Sequence, residues 1–235
     1  MLFNKMGYKV TKLPTIENQI KWNKYKWLQK IGINTVLDVG ANNGKFANDI
    51  NKILPEAKIF SFEPLHDVYE QLVENTKHIN RIKCFNFALG ESDTEDIIYR
   101  SEYSESSSLL KMGKLHKEAF PYTANSYEEK IQIKKLDSMT DELKIERPLL
   151  FKMDVQGYEI SVLKGAGDLL KKIDVVITET SYFELYQDQP LFKEIYDYLN
   201  EAGFKYVGNM EQFTDPNDGK ILQADSIFIK KSLQL

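Results

Sequence analysis

The feature that most limits the fold is an alternation. Short apolar runs, "TVLDVG", "KIFSFEP", "IKCFNFAL", "PLLFKMDV" and "DVVITET", are separated by amphipathic stretches of helical period and by turns rich in Gly, Asn and Pro. Strands and helices that alternate over short loops require right-handed crossovers, which lay the strands parallel in one sheet with helices on both faces. The spacing predicts helices over about residues 43 to 53 and 65 to 77, and others through "YEISVLKGAGDLL" and "PLFKEIYDYLNEAGF". The last runs, "YVGNM" and "ADSIFIK", are joined by a loop too short for a helical crossover, so an antiparallel hairpin should close the sheet. The expected class is α/β, with a seven-stranded, mostly parallel sheet whose last strand is antiparallel. "DIIYR" and "EKIQIKKLD" read as edge strands.

With 235 residues, 42% of them hydrophobic, the chain is read as one domain spanning 1–235. Residues 15 to 31 place Ile20, Trp27, Leu28 and Ile31 on one helical face, so 1–31 is expected to be a helical extension covering the sheet. Between the two edge runs lies an insert, 101–127, rich in Ser, Tyr and Lys. Loops of that length are usually functional when they lack structure of their own, and this one is read as a lid over the acceptor.

A formal net charge of -4 gives no general attraction to nucleic acid or an anionic membrane. Cys84 is the only cysteine, which fits a reducing, cytoplasmic setting, and "MLFNKMGYKV" does not read as a secretory signal. No run reaches membrane-spanning length. His66, His78 and His116 are too scattered for a helical metal pair, and zinc is not expected.

The stretch "VLDVGANNGKF" carries the first chemistry. Its Asp-x-Gly-x-Asn-x-Gly spacing departs from the G-x-G-x-x-G dinucleotide fingerprint. Gly40 and Gly44 permit a tight bend and close approach of a ligand, while Asn42 and Asn43 tolerate left-handed backbone. Glu63 closes the next strand, where an acid can accept both ribose hydroxyls of an adenosine-type ligand, and Pro64 ends that strand. Asp38 stands before the turn, where a carboxylate suits an ammonium better than a pyrophosphate. Together these residues point to a nucleoside carrying an amino acid.

The pieces "VLDVGANNGKFA", "FSFEP", "FALGESD", "SSSLL", "KKLDS", "LLFKMDVQGYEISVLKGA" and "ADSIFIK" stand in one order, and the chain resembles the FkbM-type methyltransferases across roughly residues 34 to 230. The resemblance implies a Rossmann-like class I methyltransferase fold. It also implies S-adenosylmethionine as methyl donor and, as acceptor, a hydroxyl on a sugar, glycan or secondary metabolite. On the matching positions Asp38, Gly40 and Gly44 would border the methionine part, with Asn42 where the superfamily usually has glycine, and Glu63 would hold the ribose.

"FKMDVQGYE" aims Lys152 and Asp154 to one side of a buried strand, and buried charge needs a reason. The reason is either a Lys152 salt bridge or a meeting of Asp154 with the acceptor hydroxyl. Glu179 ends the neighbouring strand. The two carboxylates are candidate general base and orienting group, or alternatively ligands for Mg²⁺. His116 is a second choice for base and otherwise a solvated loop residue. Gln156, Ser107 and Tyr122, with Ser106 and Tyr127, are candidate acceptor contacts, and "TDPNDGKI" is a second loop that would border the acceptor. Two other functions stay open at this stage: an NAD-linked oxidoreductase on the same kind of sheet, and a noncatalytic nucleotide-binding module.

Overall fold

The computed structural model describes residues 24–233. In chain order its strands are β1 (Thr35–Val39), β2 (Lys58–Phe62), β3 (Ile82–Phe85), β4 (Ala88–Leu89), β5 (Thr94–Ser101), β6 (Ser126–Lys134), β7 (Leu149–Met153), β8 (Val175–Ser181), β9 (Phe204–Thr214) and β10 (Ile221–Lys230). The helices are α1 (Trp27–Ile31), α2 (Lys45–Ile53), α3 (His66–Thr76), α4 (Lys114–Ala119), α5 (Thr140–Leu143), α6 (Glu159–Gly165) and α7 (Phe192–Glu201). Of the N-terminal helix expected over 15 to 31, α1 is present: Leu28 is fully buried, and Trp27 and Ile31 pack on the core. Ile20 lies outside the described residues.

The main sheet has seven strands in the order β3-β2-β1-β7-β8-β10-β9, parallel except for β10, which runs antiparallel to both of its neighbours, β8 and β9. Alternation along the strands sends residues to two separate cores. Leu37, Val39, Phe60, Phe62, Phe151 and Met153 fill one face, while Val36, Ile59 and Leu150 fill the other with Ala47, Ile50 and Ile53 of α2. Both faces are therefore dry, which is the condition for a parallel sheet. Strand order reverses between β1 and β7, and a cleft opens there beyond the carboxyl ends.

Three expectations need correction. "IKCFNFAL" is not one strand. Asn86 interrupts it by donating its side-chain amide to the carbonyls of Glu63 (3.0 Å) and Pro64 (2.9 Å), and the chain crosses to a second sheet. That sheet, ordered β4-β6-β5, takes "DIIYR" and "EKIQIKKLD" away from the edge of the main one. Its Ile98, Ile131 and Ile133 pack on Leu65 and Val68 at the start of α3, so the pair has its own small core. The insert is also structured. It contains α4 and two short 3₁₀ turns, and its Met112 and Ala119 are buried with Leu185, Tyr186 and Leu222. Backbone bonds from Gly113 to Leu185 (2.7 Å) and from Gln187 to Lys111 (2.8 Å) fasten it to the loop after β8.

Candidate active site

The cleft measures about 540 Å³, within the range of small-molecule sites. One end is built by the turn after β1. Gly40 and Asn42 have φ of 73° and 46°, so both use the left-handed region. Gly40 is required for a reason the sequence did not show: a Cβ there would stand 1.9 Å from the Asp154 carbonyl oxygen, so the missing side chain admits the neighbouring strand end rather than a ligand. Gly44 likewise admits α3, since its Cβ would meet Leu72 at 2.8 Å, and Gly44 does not line the cleft.

Glu63 is 5% exposed and faces this turn. Its Oε2 accepts the Asn42 amide (3.0 Å) and its Oε1 the Leu65 amide (2.9 Å), which fixes the carboxylate plane. Burial outweighs those two bonds and pushes its pKa up to about 7. A carboxylate has about four acceptor positions, so each oxygen keeps one for a ligand. Pro64, Asn42 and Asn43 line the same end.

Asp38 does not line the cleft. Register explains where it goes: Asp38 sits opposite Ser61 of β2 and Lys152 of β7, and all three point to the α2 face. Ser61 donates to its Oδ2 (3.3 Å), and Lys152 Nζ is 3.7 Å from its Oδ1. Burial raises the Asp38 carboxyl above its usual range, and Lys152 offsets this only in part. Lys152, also beside the Phe46 ring, is disfavoured as a cation by burial, but Asp154, Asp38, Asp225 and Glu179 outweigh that and hold it charged. The salt bridge expected for Lys152 is thus a bridge between Asp38 and Asp154, the latter at 3.5 Å.

The other end of the cleft gathers the acids. Asp154 and Glu179 do converge, and Gln156 joins them: its Nε2 donates to Asp154 Oδ1 (2.8 Å) and Glu179 Oε2 (2.9 Å). Gln223 Nε2 donates to the same Glu179 oxygen at 2.8 Å. Glu179 is paired in register with Asp225 of β10, and like charges directly opposed across strands cost stability. Burial first, then the charges of Asp154 and Glu159, raise Glu179 well above the normal carboxylate range, and burial and Asp154 push Asp225 up to about 6. Asp154 is the more open acid, with 40% of its side chain exposed. Among the described residues, no group of three or more His, Cys, Asp and Glu is arranged to hold a metal ion. The Gln156 amide instead donates into the space between the two carboxylates that such an ion would need.

The insert forms one wall. Ser107 lines the cleft and its Oγ accepts the Ser101 amide (3.1 Å), while Asn42 donates to Ser104 Oγ (3.0 Å), tying the wall to the turn after β1. Tyr122, 66% exposed, lies at the mouth edge-to-face with Tyr103. Tyr127 packs under Arg100 and does not line the cleft. His116 is not a solvated loop residue: it is 4% exposed, packed against Phe120 and Tyr186, and burial pushes its pKa down to about 4. Of "TDPNDGKI", only the flanking strands reach the cleft, through Glu211, Phe213, Gln223 and Asp225. Sequence reading missed Gln223, Asp225 and Tyr186. Asp225 left a signal, an acid in a strand otherwise bound for the core, whereas Gln223 and Tyr186 left none.

The sequence that builds this cleft matches a known family. The chain belongs to the FkbM methyltransferase family. The model of the methyltransferase FkbM domain matches residues 38–206. A 2-O-methyltransferase, NoeI, of Sinorhizobium fredii is 28% identical over 194 residues, covering 80% of this chain and 77% of that protein. The hexuronic acid methyltransferase AglP of Haloferax volcanii is 29% identical over 149 residues, covering 60% of this chain and 54% of that protein. Among solved structures, an FkbM methyltransferase from Methylobacillus flagellatus superposes with a TM-score of 0.50 at 15% identity, over 84% of this chain and 44% of that one. The likeness is one of fold, and the fold is the Rossmann-like one of class I methyltransferases.

Proposed function

We propose that this methyltransferase uses S-adenosylmethionine to methylate a hydroxyl of a sugar, glycan or secondary metabolite, with Asp154 as general base. One observation carries the reading: a single cleft holds a nucleoside-type end, Gly40–Asn43 with Glu63, and an end with two bridged carboxylates, Asp154 and Glu179. The residues fit the donor. Glu63 keeps free acceptor positions for ribose hydroxyls, and Asn42 and Pro64 line the same wall. Asp154 and Asp225 line the far end and give it a negative potential suited to a cationic sulfonium.

When bound, S-adenosylmethionine supplies an electrophilic methyl carbon. The protein's part is to align an alcohol and remove its proton, because a neutral hydroxyl is a weak nucleophile. Asp154 is open to the cleft and accepts that proton. Lys152 Nζ, 3.5 Å away, supplies a counter-charge to its carboxylate form. Glu179 and Gln223 orient the acceptor from the buried side, and the Ser107 and Tyr122 wall covers it as a lid. The names of the two relatives, one an O-methyltransferase and one acting on a hexuronic acid, support an oxygen acceptor on a carbohydrate. The Gln156 amide between the carboxylates speaks against Mg²⁺ there. The overall acidic charge speaks against a nucleic acid acceptor, and no described helix is long and apolar enough to cross a membrane. The lone thiol of Cys84 suits the cytoplasm.

Calorimetric titration of cofactor-stripped protein with S-adenosylmethionine, S-adenosylhomocysteine and NADH tests the donor. Binding of the first two and not the third is expected. Binding of NADH alone would replace methyl transfer by hydride transfer.

A further inference from the structure

Gln156 lines the cleft and is bonded to both of its paired acids, Asp154 and Glu179. Its φ of 51° lies in the left-handed region, which a side chain such as glutamine avoids unless its surroundings hold it there. They do. Glu159 Oε1 accepts the amides of Val155 (3.3 Å) and Gly157 (3.2 Å), gripping the turn on both sides of Gln156. Ser108 Oγ, from the insert, donates to the Gln156 carbonyl at 2.6 Å. Tyr186 OH donates to its Oε1 at 2.9 Å, and a Cβ at the next residue, Gly157, would stand 2.9 Å from Gln189 and 3.1 Å from Leu110.

The far end of the side chain is equally committed. Its Nε2 donates to Asp154 and Glu179 together, and its Oε1 receives the tyrosine hydroxyl. The opposite amide orientation would set a carbonyl against two carboxylates, so the network fixes which atom is nitrogen. Gln156 therefore has little capacity left for an acceptor molecule. A strained residue held by this many partners, whose side-chain amide donates to two acids at once, has the form of a built device.

We infer that Gln156 is a positioning residue: it bridges Asp154 and Glu179 into one fixed geometry, and its bonds to Ser108 and Tyr186 tie that geometry to the docking of the insert. The inference rests on the methyl-donor reading above, in which Asp154 takes the acceptor proton. Without the bridge, two carboxylates would face each other with no donor between them and would separate or share a proton. With it, Asp154 stays aimed into the cleft while Glu179 is held back against Gln223.

The test needs no acceptor. Protein carrying ¹³C-labelled carboxyl groups on Asp and Glu is saturated with S-adenosylhomocysteine and titrated by NMR, with Glu179 assigned through Glu179→Gln. In Gln156→Ala, S-adenosylhomocysteine should bind within about threefold of wild type, and the Glu179 midpoint should rise by about one pH unit for the lost donor. Tyr186→Phe, which keeps the ring and removes only the hydroxyl, should move it in the same direction by less. It also keeps the test alive if Gln156→Ala does not fold. A Glu179 titration unchanged in both variants, with the ligand bound, overturns the positioning role alone. Failure of wild-type protein to bind S-adenosylhomocysteine overturns the methyl-donor reading and this role with it.

Discussion

The two ends of the cleft are built by different means. At the Glu63 end the geometry comes from backbone: a turn with three left-handed residues, Gly40, Asn42 and Gly44, and a carboxylate held by two amides. At the Asp154 end it comes from side chains on β7, β8, β10 and the insert, joined through one glutamine. A backbone site of this kind serves a ligand that does not change. In the proposed reaction the side-chain end is the one that would receive the acceptor.

The comparison breaks most visibly at Asp154. Asp154→Asn should lower turnover on the best acceptor from a glycan panel by about a thousandfold, roughly 4 kcal/mol of barrier, while S-adenosylmethionine binds as before in calorimetry. Equal losses in both would merge the two ends into one. Next is Gly40→Ala, which forces a Cβ into the Asp154 carbonyl at positive φ and should destabilise by about 3 kcal/mol in urea melts. A neutral result there would mean that the turn and β7 are not wedged together.

Glu63→Ala should weaken S-adenosylmethionine binding by about 10- to 100-fold, the worth of a charged hydrogen-bond pair. The wild-type affinity should also rise as pH passes about 7, where Glu63 ionises, and the variant should lose that dependence. The smallest effect concerns Glu159, 2% exposed, whose pKa burial pushes up to about 7. A carboxyl raised in the folded state adds stability that is full below its unfolded value, near 4.5, and is lost as pH rises through 7. His116, lowered to about 4, acts the other way, its contribution vanishing as pH falls below 6.5. Comparing Glu159→Gln with wild type at pH 5 and 7.5 cancels the histidine. The variant should lack about 1–2 kcal/mol of the gain toward pH 5.

The same contrast explains what the sequence reveals. The strand and helix alternation, the terminal hairpin, the glycine turn and Glu63 are local, and local patterns survive in one dimension. Asp154 and Glu179 are legible as strand-end acids because parallel strands of one sheet end on one side. Gln223 and Tyr186 are not, since only the register of β10 against β8 and the docking of the insert bring them to Glu179 and Gln156. Asp38 misled because alternation tells that it faces away from Leu37, not that Lys152 waits there. "IKCFNFAL" misled because nothing near Asn86 in sequence announces the two carbonyls it captures.

The placement of β10 between β8 and β9 has a consequence for synthesis. On the ribosome the chain emerges with β9 before the strand it must pair with, and until residues 221–230 leave the exit tunnel β8 is an open edge. The late strand closes that edge and delivers Gln223 and Asp225 in the same act. A half-made chain thus has an open strand border for other molecules to adhere to, and the floor of its cleft is completed only as that border disappears.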